Sequence, residues 1–406
     1  MKTAVQFGAG NIGRSFMGQL FWETGYRIIF VDVNKEIVDL INKRGKCPVL
    51  LLDAYKNKEI HLTIDKISAL HVDEKEKIAD AISNADIVST AVGVRNLVHI
   101  APLIAGGLME RFKDTAAPLD IYLCENALDA PNSLKTEVFK FLDSKTREIV
   151  ENNVGFVGTV VARMVDVVSD RSNNDPLCAI ADAYHKFPID GKAIKTKPPD
   201  IKGLKAVRNF QAEFERKFFT LNLGHASIGY LGYLKNYTYV NEAIKDKYLS
   251  AAFDGVLNEA RAAMLKKYPA DLDPDEYDEV IKDIKIRFGN PMFFDTIKRI
   301  ARDPVRKLGP EDRLIGSAKL CLSCGIFPEN IAYVCGAALC YDFREDANAV
   351  ELQKKISDQG VEKTLEEISG VDSKGKLGRK IIKSYLELPK KRKDWKNYAR
   401  DKEGKK

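Results

Sequence analysis

The stretch Gly8-Ala9-Gly10-Asn11-Ile12-Gly13 follows an apolar strand-like run, Thr3 to Phe7, and opens a helix-like run, Asn11 to Trp22; a second strand pattern, Arg27 to Val33, comes next. This G-x-G-x-x-G in register between strand and helix decides the fold. Its first glycine permits a tight turn, its second lets backbone approach a pyrophosphate, and its third allows close helix–strand packing. The helix N-terminus behind the turn offers unpaired N–H groups and the positive end of a dipole to phosphate. Asp32, 19 residues after Gly13, stands where an acid accepts hydrogen bonds from an adenosine ribose and repels a 2′-phosphate, which points to NAD rather than NADP. Gly8, Ala9, Gly10, Asn11, Ile12, Gly13 and Asp32 are therefore the first expected cofactor contacts.

Outward from this turn, strand-like runs recur at Ala85 to Ala91, Ile121 to Cys124 and Gly155 to Val161, separated by helical patterns. Such alternation argues for βαβ units and a parallel sheet. Two of the runs end in Thr90-Ala91-Val92-Gly93 and Cys124-Glu125-Asn126. Ligands of open α/β sheets bind outside the carboxyl ends of strands, so Ala91, Val92, Gly93, Glu125 and Asn126 are expected to line the same crevice. From about Leu204 the pattern turns to long stretches of 3.6-residue periodicity: Lys205 to Leu221, Val240 to Tyr268, Asp275 to Phe288 and Asp312 to Cys324. The expected fold class is α/β, an N-terminal Rossmann-type doubly wound sheet followed by a mostly α-helical domain. Lys197-Pro198-Pro199-Asp200 marks a border near 195–203, giving domains of 1–200 and 201–388 and a disordered basic tail, 389–406.

The formal charge of +6 sits entirely in that tail, where nine Lys/Arg face three Asp/Glu; residues 1–388 hold 55 of each sign. A body without a basic face does not read as a nucleic-acid binder. Pro389-Lys390-Lys391-Arg392-Lys393 reads either as a solvated tail or as a basic import or nucleic-acid patch. The N-terminus runs straight into a strand pattern, without the regions of a secretory signal, and no window suits a membrane span. Together with an odd seven cysteines, this reads as a cytoplasmic protein with reduced thiols. Cys321, Cys324, Cys335 and Cys340 could hold zinc, but they sit in an apolar helical stretch where free cysteine is a small hydrophobe; no metal is expected.

Lys217, Asn222 and His225 recur at spacings of five and three, about 0°, 140° and 80° around an α-helix, one broad face. Oxidising a carbinol needs a group to take the hydroxyl proton, and a lysine whose charged form is disfavoured by burial or a neighbouring cation can do so near neutral pH. An asparagine can hold the oxyanion, and a histidine can orient substrate or carry a proton.

This K-x4-N-x2-H pattern resembles the signature of the polyol-specific long-chain dehydrogenases. The segments Phe7 to Arg14, Thr90 to Gly93, Cys124 to Asn126, Arg216 to His225, and Pro304 to Leu308 followed by Asp312 to Ile315 are similar to the branch of that family that acts on mannitol 1-phosphate; the similarity spans about residues 1–388. The resemblance implies a metal-independent, NAD-dependent enzyme interconverting mannitol 1-phosphate and fructose 6-phosphate, with its active site between the two domains. It also implies Lys217 as general base, Asn126 beside Asn222 and His225 near the reacting carbinol, and a monomer. Arg302, Arg306, Lys307 and Arg313 are candidates for the substrate phosphate, since guanidinium forks suit it, with salt bridges as the alternative use. One departure stands out: Val161-Ala162-Arg163-Met164-Val165 replaces the family's V-D-R-I-V and so removes a carboxylate. That leaves room for a reductase of an unphosphorylated polyol, ketose or keto-hexuronate, or for a catalytically weak nucleotide-binding homologue.

Overall fold

Near-continuous apolar runs are what strands covered on both faces require, and in the computed structural model such runs form the central sheet. The structure describes residues 1–114, 117–166 and 175–403, with backbone alone at 114 and from 392 onward. The strands are β1 (Thr3–Phe7), β2 (Arg27–Asp32), β3 (Lys46–Asp53), β4 (Lys58–Asp65), β5 (Ile67–His71), β6 (Ile87–Thr90), β7 (Leu119–Leu123), β8 (Val154–Gly158), β9 (Val165–Asp166), β10 (Ala179–Asp182), β11 (Phe187–Asp190) and β12 (Leu204–Val207). Six of them make a parallel sheet in the order β5-β2-β1-β6-β7-β8. Counted within the sheet this is the 3-2-1-4-5-6 order of a doubly wound dinucleotide-binding sheet, whose order reverses between β1 and β6.

Alternate residues supply two separate cores. Ile28, Phe30 and Tyr122 pack with Phe16, Phe21 and Phe187 on one face. Val5, Phe7, Val31 and Val88 pack with Ile78, Ile104 and Leu134 on the other. The period-2 rule puts neighbours on opposite faces, and both faces are buried.

Two features depart from the sequence reading. Between β2 and β5 the chain inserts an antiparallel hairpin, β3–β4, which joins β10 and β9 in a second four-stranded sheet. Lys205 does not start a helix: Leu204–Val207 is a strand paired in parallel with Phe187–Asp190, because a non-local backbone partner outweighs local periodicity. The chain divides into two compact units, Met1–Phe214 and Glu215–Lys406.

The second unit is helical. The expected run from Val240 to Tyr268 is two helices, Val240–Ala243 and Lys247–Lys267, because Asp246 stops the chain and caps the second one, accepting from Tyr248 and Leu249 N–H at 3.0 Å each. The last helix, Lys376–Glu403, runs through Pro389 into the segment expected to be a disordered tail; residues 404–406 lie outside the described residues. Proline cannot donate to the carbonyl four residues back. That carbonyl, Tyr385 O, instead lies 3.6 Å from the Cys340 thiol, which donates to it.

Candidate active site

In the first unit, β1 and β6 end side by side at the point where strand order reverses, and the glycine turn sits on β1. Gly8 has φ +90°, and a Cβ there would lie 2.5 Å from Ala91 O. A Cβ on Gly13 would overlap Gly8 O, whereas one on Gly10 would meet no atom within 4 Å. Two glycines are thus demanded by packing, and the third leaves open space where the turn would receive a pyrophosphate. The residues present fit a dinucleotide.

Asp32 ends β2 and bridges to the turn. Its Oδ2 accepts from Ala9 N–H at 2.6 Å and its Oδ1 from Asn34 N–H at 2.8 Å. The carboxylate therefore holds the glycine loop in place as well as standing at the ribose position. Glu125, buried at the end of β7, is committed to its own protein. Oε1 accepts from Val92 N–H at 2.9 Å and Thr90 Oγ1 at 3.1 Å, and Oε2 from Gly93 N–H at 2.8 Å. It ties the loop after β6 to the end of β7, and burial pushes its carboxyl up from the ordinary value. Asn126, the next residue, is exposed at the same strand end.

Behind the turn the first helix opens with a π-helical segment, Gly13–Gly18, a wide turn that is rare and found mostly near functional sites. Arg163 serves this wide turn: its Nη1 donates to Ser15 O and, at 2.5 Å, to Gln19 Oε1, while Nε donates to Tyr184 O at 2.7 Å. Its guanidinium also lies 5.0 Å from the Phe16 ring. Arg14 turns back the other way, donating to Ala9 O and to Pro176 O. Beside Arg163, Ala162 is buried. Asp166 lies on β9 in register with Ile180, within the second sheet.

In the second unit, Lys217 ends the helix Phe210–Lys217, a second π-helical segment follows at Phe218–Asn222, and the helix Leu223–Leu234 carries His225. The regular 100° spacing of the sequence reading does not hold here: Leu223 N–H bonds to Phe218 O, five residues back. A π turn stacks residues five apart, so Lys217 and Asn222 lie on one face more directly than an α-helix would place them.

Protein packed around the partly buried Lys217, and then the nearby Arg313 guanidinium, lower its pKa to about 7. Asn222 is buried. His225 stacks on Phe288, with ring centroids 4.3 Å apart and planes at 9°. Burial, with Arg299, Arg313, Arg287 and Lys307 around it, holds its pKa well below the ordinary value, so the ring is neutral.

The phosphate candidates separate. Arg306 is spent on carboxylates, donating to Asp303 at 2.5 Å and Asp312 at 2.8 Å. Lys307 is buried, donates to Ile300 O and lies over the Tyr230 ring at 5.6 Å. Arg302 is exposed. Arg313 gives only Nε to Asp312, at 2.8 Å, and stacks over Phe218 at 5.3 Å. Asp295, Arg299 and Phe288 enter the site unannounced, whereas Arg313, a phosphate candidate of the sequence, stands near both Lys217 and His225. The cysteines of the possible zinc site diverge: Cys321, Cys324 and Cys340 each donate to a different backbone carbonyl. Among the described residues no three His, Cys, Asp or Glu are grouped to hold a metal ion. No helix among them is long and apolar enough to cross a membrane.

A dinucleotide cradle on a doubly wound sheet, followed by a helical unit bearing a lysine of lowered pKa, defines a dehydrogenase. The chain belongs to the mannitol dehydrogenase family: the model of its Rossmann domain matches residues 2–203 and that of its C-terminal domain residues 209–389. Among curated relatives, a mannitol-1-phosphate 5-dehydrogenase of Caldanaerobacter subterraneus is 39% identical over 388 residues, 96% of this chain and 99% of that protein. One of Oceanobacillus iheyensis is 38% identical over 394 residues, 97% and 100%. Among solved structures, a D-sorbitol dehydrogenase superposes with TM-score 0.78 at 16% identity, covering 96% of this chain and 93% of that one. The Pseudomonas fluorescens mannitol 2-dehydrogenase, solved with NAD and D-mannitol, gives 0.77 at 16%, covering 98% and 94%. At that identity the structures speak for the fold.

Proposed function

We propose that this protein interconverts D-mannitol 1-phosphate and D-fructose 6-phosphate, as a monomer in the cytoplasm. The type of reaction goes with the family, an oxidation at a CH–OH group with NAD as cofactor. The observation that carries the choice of substrate is the 39% identity to a mannitol-1-phosphate 5-dehydrogenase along nearly the whole of both chains.

NAD supplies the hydride acceptor when bound; Gly8 to Gly13 and Asp32 would hold its pyrophosphate and adenosine ribose. Lys217 takes the proton from the carbinol oxygen. A pKa of about 7 lets it do so from the neutral amine at physiological pH. Asn222 donates to the oxygen as it gains negative charge, a contribution of roughly 10²- to 10³-fold for one such donor. Asn126 and His225 orient the substrate hydroxyls. Because Arg306 and Lys307 are already engaged, Arg313, with its unspent terminal nitrogens, and the exposed Arg302 are the cations left for the phosphate.

The test is NADH oxidation with fructose 6-phosphate, fructose and keto-hexuronates side by side. Fructose 6-phosphate should be preferred; equal or better turnover of an uncharged ketose would move the reading to an unphosphorylated substrate, and binding of NADH without turnover of any of them would leave a nucleotide-binding homologue.

A further inference from the structure

His225 carries two nitrogens with different surroundings. Nε2 is buried, has no hydrogen-bond partner, and faces Asp295 Oδ2 at 3.8 Å, just beyond hydrogen-bond reach. Nδ1 is not among the sealed polar atoms and makes no hydrogen bond within the described protein. The ring cannot tilt freely, since it lies flat on Phe288.

Asp295 is held equally firmly. Its side chain is 1% exposed, and Arg299 grips both oxygens, Nε to Oδ1 at 2.7 Å and Nη2 to Oδ2 at 2.5 Å. Its own carbonyl accepts from Val240 N–H at 2.9 Å. A bidentate arginine keeps the carboxylate ionised and fixes its plane. A neutral imidazole has one N–H and one lone pair, and which nitrogen bears the proton follows from what the other group needs. Opposite an ionised carboxylate, a lone pair would be repelled and an N–H attracted.

We propose that Asp295 is a positioning residue for His225: facing Nε2, it selects the tautomer protonated there and leaves the Nδ1 lone pair to accept a hydrogen bond from a substrate hydroxyl. This rests on the reading above that His225 touches substrate. His225 is then a fixed acceptor that carries no proton through the reaction. A carboxylate that only fixes a histidine's tautomer can govern turnover without touching substrate.

The experiment uses the full chain with ¹⁵N-labelled histidine and a long-range ¹H–¹⁵N spectrum, the His225 signals being those absent from His225→Gln. The wild type should show a neutral ring protonated on Nε2. Asp295→Asn, whose amide can donate to Nε2, should move the proton to Nδ1 and raise KM for fructose 6-phosphate by about 10-fold, the worth of one hydrogen bond, with NADH affinity unchanged. Asp295→Glu should keep the tautomer and most of the affinity. A wild-type ring protonated on Nδ1, or on both nitrogens, overturns the proposal, as does an Asp295→Asn protein with wild-type tautomer and KM. If Asp295→Asn does not fold, the wild-type spectrum alone decides. The spectrum does not depend on which sugar is turned over, so an Nε2–H tautomer in a protein inert toward fructose 6-phosphate would fail the substrate assignment alone.

Discussion

Replacing Arg313 with leucine should move the pH dependence of oxidation while leaving the fold intact. Leucine can keep the packing over Phe218, and Asp312 retains its bond from Arg306 at 2.8 Å. Lys217 falls from an ordinary 10.5 to about 7, with burial the larger cause and Arg313 the named charge. Removing the guanidinium should therefore recover less than half of that fall, on the order of one pH unit, or ~1.4 kcal/mol. The base works as the neutral amine, so the wild-type rate should rise with pH through about 7 to a plateau. In Arg313→Leu the rise should come about one unit later. At pH 7 the neutral fraction would drop from about one half to roughly one eleventh, a fivefold loss that high pH restores, on top of any pH-independent loss from the missing phosphate contact. The assay is kcat/KM for mannitol 1-phosphate oxidation from about pH 5.5 to 10, which reports the free enzyme, and the reading is the pH at which the rise falls. A rise that stays near pH 7 in Arg313→Leu would refute the electrostatic part of the argument; one that survives in Lys217→Ala would refute the base itself.

The cofactor cradle gives sharper contrasts. Gly8→Ala should lower Tm as well as NADH affinity, because its Cβ would strike Ala91 O at 2.5 Å and φ is +90°. Gly10→Ala meets nothing within 4 Å, so thermal unfolding should be unchanged while NADH fluorescence titration shows binding lost. Arg163→Leu leaves Ser15 O without its donor and should lower stability by about 2–4 kcal/mol in denaturant unfolding. Asp32→Ala should bring NADH and NADPH affinities together, erasing a preference of about 10-fold or more. It should also lower Tm modestly, since Ala9 and Asn34 N–H lose their acceptor.

The sheet was legible where each strand reports its own burial. Val5, Phe7, Ile28 and Phe30 sit in apolar runs that only a doubly covered strand explains. The β3–β4 hairpin was missed although Glu59 to Asp65 in β4, Lys58–Asp65, alternates polar and apolar residues strictly, because its turn runs through Asn57 at φ +47° without an Asn-Gly or Asp-Gly signal. Leu204–Val207 looked helical because its strand partner, Phe187–Asp190, is remote in sequence. The same distinction governs the site. Lys217, Asn222 and His225 are neighbours on one chain segment and could be read together. Asp295, 70 residues from His225, leaves no local trace. Arg306 is the opposite case: Asp303, three residues before it, is a local partner that sequence spacing already offered as the alternative to phosphate.

The two wide helical turns, Gly13–Gly18 and Phe218–Asn222, make the chain's residue count a functional quantity. A π turn holds one residue more than the α-helix around it needs, so removing a single residue between Phe218 and Leu221 would let the helix close into regular hydrogen bonds. Such a deletion would leave Lys217 four residues before Asn222 and seven before His225, which on a regular helix is one face. The shortened chain would keep the common face of the three side chains and lose only the widened turn of backbone between them. Comparing it with the full chain would therefore isolate what that turn itself contributes to turnover.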